Sequence, residues 1–292
     1  MTSRPSRLQQ KLSQGDFVIT AEICPPKGCD CSRFVHHAKA LSATVDAINV
    51  TDNQGANMRI SPLAAAALLL QAGVEPVFQL TCRDRNRLAL QSELLGAAAL
   101  GITNILALTG DHISFGDHSE GKAVFDLDSV QLLQSMQQLE SGFDLSGKKL
   151  EGSPQFFAGA AAAPEAEPFE LTIYKLRKKA AAGAQFLQTQ AIFNPEKLDR
   201  FSLAVAPLGV KIIGGILLLK SAAMARYINR NIPGLRVPEE IIVELEQSAD
   251  PAATGLEIAC RLARAVKPSL NGVHIMAMGR EELIPEIVKA IT

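Results

Sequence analysis

Short apolar runs and longer stretches of helical period alternate along the whole chain. The first run, residues 17–23 (FVITAEI), has the pattern of a buried strand but carries a carboxylate, Glu22, near its end. Pro25 and Pro26 then stop it, because proline has no N–H to offer a sheet ladder. Similar runs stand at 46–51, 75–80, 104–109, 155–160, 185–190, 211–216 and 272–277. Between them the spacing of apolar residues predicts helices over Ser32–Leu41, from the Ser61–Pro62 start to a stop at Gly73, over Leu88–Leu100, Leu127–Leu139, Phe169–Ala182 and Pro195–Ala204, and over Thr254–Ala265. A pair split at Pro233–Gly234 precedes that last one, and a further helix closes the chain. Strands alternating with helices mean parallel βαβ units. Eight of them in 292 residues predict an α/β fold, a single (β/α)8 TIM barrel over 1–292, rather than a doubly wound sheet. No GxGxxG follows a strand and no P-loop is present, which removes the usual marks of the alternative.

In such a barrel the chemistry sits at the C-terminal ends of the strands. That rule selects Glu22 from the first strand, Thr51 and Asp52 from the second, Gln79 and Thr81 from the third, and Thr109, Gly110 and Asp111 from the fourth. The fifth ends in Ala161–Pro164, the sixth in Gln190, the seventh in Gly215–Leu217 and the eighth in Met276 and Met278. Acids and amides thus gather on one side of a mouth whose other side is apolar, which suits a flat heteroaromatic ligand. The strand ends hold no lysine for a Schiff base and no Ser/His/Asp set.

Each of these residues also has a plain structural use. Glu22 could pair with Arg59 or Arg83, Asp111 could cap a turn, and Gln79 and Gln190 could satisfy rim carbonyls. Lys175, Arg177, Lys178 and Lys179 fall on one helix, where a charge run is usually a solvated face. Cys29 and Cys31 near His36 and His37 do not have a usual zinc spacing, so the expectation is no metal.

Composition narrows the partners. A net charge of −1, no tryptophan and two tyrosines leave neither the field nor the stacking surface for nucleic acid, and no basic run suits an anionic membrane. No apolar span is long enough to cross a bilayer and the polar start lacks a signal-peptide core, so a cytoplasmic protein is expected. Five cysteines in so long a chain fit reduced thiols.

The segments AEICPP, QLTCRDRNR, ILALTGD, GAAAAPEAEP, KKAAAGAQFLQTQAIFNPEKL and GGILLLKSAAMARYINRNIPGLRVPEEI, taken together and in this order, resemble the methylenetetrahydrofolate reductase family. The likeness runs from about Gly15 to Ile287 and is nearest to the branch found as the reductase half of homocysteine methyltransferase fusions. It implies a flavoprotein oxidoreductase of one-carbon metabolism and methionine biosynthesis. Such an enzyme reduces 5,10-methylenetetrahydrofolate to 5-methyltetrahydrofolate with electrons from NADH or NADPH. The same resemblance leaves FAD and FMN both open, with FAD the commoner family answer.

Carried over position by position, the resemblance makes Glu22 the general acid and Asp111 the charge partner of folate and flavin. It makes Gln190 a folate contact, and Thr51, Gln79, Thr109, Gly110, Asp111, Phe125, Ala161, Ala163, Glu167, Lys178 and Lys179 cofactor-binding positions. Departures are visible at four of them, where Gln79 and Glu167 stand for histidines and Ala163 and Phe125 for tyrosines, and at Ala222, which stands for a phenylalanine that stacks on nicotinamide in some members. The alternative function is a flavin-containing subunit fed with electrons by a partner protein. A folate substrate, and a homo-oligomer or a complex with a zinc-binding partner subunit, are the partners implied.

Overall fold

The computed structural model describes residues 5–232 and 234–292. Eight parallel strands close into one barrel in sequence order: β1 (Val18–Ile23), β2 (Ala47–Val50), β3 (Pro76–Thr81), β4 (Asn104–Leu108), β5 (Phe157–Ala162), β6 (Phe186–Ala191), β7 (Lys211–Leu217) and β8 (Gly272–Met276). β8 pairs back onto β1, with Thr20 opposite His274 on one side and Ala47 on the other. The predicted (β/α)8 barrel is therefore the fold observed. The largest shift is in β5, which begins two residues later than the apolar run suggests.

The helices are α1 (Arg7–Gln14), α2 (Ser32–Leu41), α3 (Pro62–Gln71), α4 (Arg87–Ala99), α5 (Ser129–Glu140), α6 (Phe169–Ala181), α7 (Pro195–Val205), α8 (Ala222–Asn231), α9 (Glu239–Gln247), α10 (Pro251–Val266) and α11 (Ile284–Lys289). Their starts are chemically marked. Asn86 accepts from the Leu88 and Ala89 amides, and Asp128 forms a reciprocal capping box with Gln131. Ser61 stands at the predicted start of α3, yet its side chain caps nothing; Pro62 at the first helical position supplies the preset φ instead. Pro233, where the break between α8 and α9 was expected, lies outside the described residues.

Two apolar regions hold the fold. The larger one fills the space between the strands' outer face and the helices. The smaller one fills the lower barrel, where Val18, Val77, Leu106, Phe157, Phe186 and Ile213 meet. α1 closes this end: Ser6 caps it, Gly15 ends it at φ +85°, and Leu8 and Leu12, one turn apart on the same face, are buried against the strand starts. No apolar period marks α1 in the sequence, because its only apolar residues are those two leucines. Burying a pair of leucines contributes about 3–6 kcal/mol by transfer. No helix among the described residues is long and apolar enough to cross a membrane.

Candidate active site

Alternation along β1 turns Val18, Thr20 and Glu22 inward, so the acid stands at the C-terminal mouth above an apolar floor. Its side chain is only 11% exposed. Gln54, in the turn after β2, donates from Nε2 to Glu22 Oε1 at 2.8 Å, and Gln79 Nε2 on β3 stands 3.5 Å from Oε2. His274 Nε2 on β8 lies 3.7 Å from the same oxygen. Among the described residues no arginine or lysine pairs with Glu22: Arg83 is committed to Asp84. This separates the acid from the structural alternative. A guanidinium would lock a carboxylate in its ionised form, whereas an amide can donate N–H to a carboxylate or accept O–H from a carboxylic acid.

Beside Glu22 opens a cavity of about 320 Å³. Its wall includes Gln54, Gln79, Thr109, Gly110, Asp111, Ala161 and Lys179, so six of the cofactor-binding positions named from the resemblance share one cavity. Gln54 and Gln79 connect that wall to the acid. Gly110 has φ +93°, and a Cβ there would sit 3.1 Å from the side chains of Thr81 and Arg83, so this close backbone approach needs glycine. Lys179 Nζ donates to the Ala161 carbonyl at 2.7 Å. Burial, reinforced by the nearby Lys175 charge and opposed by Asp128, lowers the amine's pKa below its ordinary value. A half-desolvated cation on a neutral carbonyl is an anion site in waiting. A larger cleft of about 630 Å³ lies at the other end of the barrel, lined by Pro5, Pro76 and Asn104 at the strand starts. Barrel chemistry does not use that end.

A buried charged frame holds the wall. Asp52, two residues past β2, accepts from the Thr81 amide and hydroxyl, both at 2.8 Å, and pairs with Arg85 at 2.7 Å. Arg83, 1% exposed, donates to the Asp52 and Asn53 carbonyls and grips Asp84. Burial raises the Asp84 carboxyl, but the Arg83 hydrogen bond and charge outweigh it, so its pKa ends below the usual carboxylate range. The CRDR segment after β3 is thus a clamp between two loops. Thr51 is buried beside it and donates to Cys24 Sγ at 3.6 Å.

The remaining positions are spread around the mouth. Asp111 is exposed at the cavity edge and, among the described residues, caps no turn. Gln190 lies on β6; its Oε1 is buried with no partner among the described residues, and Gly234 approaches it closely enough that a Cβ would sit 3.7 Å away. Phe125, at φ +42°, stacks on His112 with ring centroids 6.4 Å apart. Ala163 and Glu167 follow β5 outside the cavity wall, Glu167 accepting from the Phe169 amide. Lys178 is exposed and lies over the Tyr174 ring, 4.7 Å from its centroid, turned away from Lys179.

The long segment after β4 is docked rather than free. Gly116 packs on the Ala56 carbonyl, where a Cβ would come within 1.8 Å. Asp117 accepts from the Met58 amide at 3.0 Å and pairs with Lys27. These contacts lower the Asp117 carboxyl pKa, Lys27 and His118 contributing most. Loops after β1, β2 and β4 are therefore joined over the Glu22 side of the mouth. Among the described residues no group of three or more His, Cys, Asp or Glu side chains is placed to hold a metal ion.

The family model for methylenetetrahydrofolate reductase matches residues 7–292. The chain belongs to that family. A Caenorhabditis elegans protein described as a probable methylenetetrahydrofolate reductase (NADPH) is 24% identical over 98% of this chain and 44% of its own. The 5,10-methylenetetrahydrofolate reductases of Salmonella typhimurium and Escherichia coli K12 are each 24% identical; they cover 94% and 96% of this chain, and the matches span 92% and 93% of theirs. This chain therefore spans less than half of the worm and fission-yeast relatives and nearly all of the enterobacterial ones. Among solved structures, DmoA from Hyphomicrobium sulfonivorans superposes with a TM-score of 0.58 over 94% of this chain and 86% of that one at 10% identity. A tryptophan synthase chain from M. tuberculosis gives 0.55 over 98% and 99% at 13%. Both establish the barrel alone.

Within this reductase family member, three features at the mouth escape a motif-by-motif analysis. Gln54 reaches Glu22 only because the loop after β2 folds back, and loop geometry has no period. Arg83 looks like a surface charge in a polar loop but is fully buried. His274 sits in a strand otherwise read by its apolar end, although its spacing of two from Met276 places it inside the barrel.

Proposed function

We propose that this protein is a flavin-dependent methylenetetrahydrofolate reductase, converting 5,10-methylenetetrahydrofolate to 5-methyltetrahydrofolate at the mouth of the barrel. The observation that carries the reading is Glu22: an inward acid with amide partners and, among the described residues, no lysine or arginine partner, at the edge of a cavity that also holds Asp111 and a partly desolvated lysine. Family membership over residues 7–292 supplies the reaction class.

The residues present fit a flavin. The cavity of about 320 Å³ lies at the small end of ligand sites and suits one fused ring system. Gln79, Thr109, Gly110 and Ala161 would wall the ring, and Lys179 would face the phosphate as its counter-charge. FAD is favoured over FMN by family membership. When bound, the reduced flavin supplies the hydride that completes the methyl group.

The chain's own groups do the rest. Glu22 gives a proton to the nitrogen that leaves as the five-membered ring opens to the 5-iminium cation. Gln54 and Gln79 hold the carboxyl in place in either protonation state. Asp111 places negative charge beside that cation and accepts from the amino groups of the pterin. The unpartnered Gln190 Oε1 accepts a hydrogen bond from the folate, which removes a buried unsatisfied acceptor worth about 1–3 kcal/mol.

The electron donor has two readings, because Ala222, the first residue of α8, offers no ring to stack on nicotinamide. NAD(P)H is the first; a partner protein is the second. Purified protein is mixed anaerobically with NADH or NADPH and its visible flavin spectrum followed, then 5,10-methylenetetrahydrofolate is added to dithionite-reduced protein. Bleaching by the nicotinamide selects the first reading, and its absence the second. Recovery of the oxidised spectrum on adding folate supports the reductase; a colourless protein, or a reduced flavin indifferent to folate, contradicts it.

A further inference from the structure

The interior of a (β/α)8 barrel is normally filled by Val, Ile and Leu. Here only the lowest layer is apolar. The layer above it is polar and fully enclosed: Thr20 on β1, Asn49 on β2, Gln188 on β6 and His274 on β8, with Asn49 and His274 both 0% exposed. Asn49 Nδ2 donates to Gln188 Oε1 at 2.7 Å and to His274 Nδ1 at 2.9 Å. Thr20 Oγ1 is 3.0 Å from the same ring nitrogen and 3.4 Å from the Val273 carbonyl.

An imidazole nitrogen that accepts an amide N–H carries no proton, so the ring proton belongs on Nε2. That atom is buried and has no hydrogen-bond partner among the described residues. The acid it faces is Glu22, whose Oε2 lies 3.7 Å away, less than an ångström beyond hydrogen-bond range. Gln79 Nε2 stands at 3.5 Å from the same oxygen and is in the cavity wall. A ligand that draws the Gln79 amide to itself leaves Oε2 to the imidazole.

We propose that His274 is the positioning residue of the acid: a neutral ring, held in its Nε2–H form by Asn49, that takes Glu22 Oε2 from below and so turns the other oxygen toward the substrate. The chain Gln188–Asn49–His274–Glu22 crosses the barrel from β6 to β1 and ends at the carboxyl. His274 acts through Glu22, and its catalytic consequence rests on the reading of Glu22 as the proton donor.

The test has two arms. In protein labelled with ¹⁵N-histidine, two-bond proton–nitrogen spectra at about pH 8, where ordinary histidines are neutral, report each ring's tautomer. The His274 signals are those lost in His274→Gln. An Nε2–H ring whose Nε2 shift moves in Glu22→Gln is expected; an Nδ1–H ring, or an Nε2 signal indifferent to Glu22→Gln, overturns the proposal. This arm needs no turnover, so it decides the point even if the wild type proves inert toward folate, which would instead defeat the functional reading. In the second arm, folded, flavin-loaded His274→Met should reoxidise with methylenetetrahydrofolate at least tenfold more slowly at saturating folate, with KM for folate little changed. His274→Gln, which keeps an N–H at the same reach, should recover most of the rate. A wild-type rate in His274→Met overturns the positioning role.

Discussion

Gln54 Nε2 donates to Glu22 Oε1 across 2.8 Å, tying the acid at the end of β1 to the loop that follows β2. The loop has an unusual backbone: Asn53, Gly55 and Ala56 all have positive φ. Its shape, not its sequence period, delivers the amide. Gln54→Leu should therefore leave stability within about 1 kcal/mol, because the bond is solvent-exposed. The rate of folate-driven flavin reoxidation should fall about tenfold, equivalent to about 1.4 kcal/mol of transition-state stabilisation. Stopped-flow reoxidation beside a thermal melt separates the two effects.

Lys178 and Lys179 are adjacent in sequence and opposite in placement. Lys179 faces the cavity and Lys178 lies on Tyr174. Lys179→Met should weaken binding of riboflavin 5′-phosphate by about tenfold or more while leaving riboflavin, which lacks the phosphate, nearly unchanged. Lys178→Met should do little to either. Fluorescence titration of both flavins checks it.

The same lysine gives a pH dependence of definite sign. Burial and Lys175 lower its pKa from 10.5, against the pull of Asp128. A bound phosphate favours the charged amine, so affinity is greatest where Lys179 is protonated. The affinity advantage of riboflavin 5′-phosphate over riboflavin should therefore decline as pH rises through the lowered pKa, before an ordinary lysine would titrate. In Lys179→Met that decline should vanish.

How much of this was legible follows from which forces act locally. Strand ends and their inward residues obey a period of two, so Glu22, Gln79 and Gln190 could be read along one dimension, while Asp111, three residues beyond the end of β4, is marked only by following that strand. α1 could not, since it is stabilised by docking Leu8 and Leu12 under the barrel rather than by its own pattern. Lys178 and Lys179 lie about 100° apart on a helix, and only packing decides which turns inward. His274 was within reach, since its register partner Thr20 is two residues before Glu22, but an isolated histidine in an apolar run does not announce a network across four strands.

The docked segment after β4 supplies a structural test. A Cβ on Gly116 cannot coexist with the Ala56 carbonyl. Gly116→Ala should release residues 112–124 from the loop after β2, loosening the Asp117 bonds to Met58 and Lys27. Limited proteolysis should cut this segment about tenfold faster, with a global stability loss of only about 1–2 kcal/mol. Unchanged cleavage would mean that Gly116 does not hold the segment.

The most direct test of the central claim is Glu22→Gln in a single anaerobic reoxidation experiment. The variant should bind flavin and be reduced by dithionite as the wild type is, because Glu22 is not in the cavity wall and meets it through Gln54 and Gln79. On mixing with 5,10-methylenetetrahydrofolate, wild-type flavin should return to its oxidised spectrum, while the variant should stay reduced, slower by a factor of about 10² or more. Reoxidation of the variant at a rate near wild type would contradict the assignment of Glu22 as the acid that opens the folate ring.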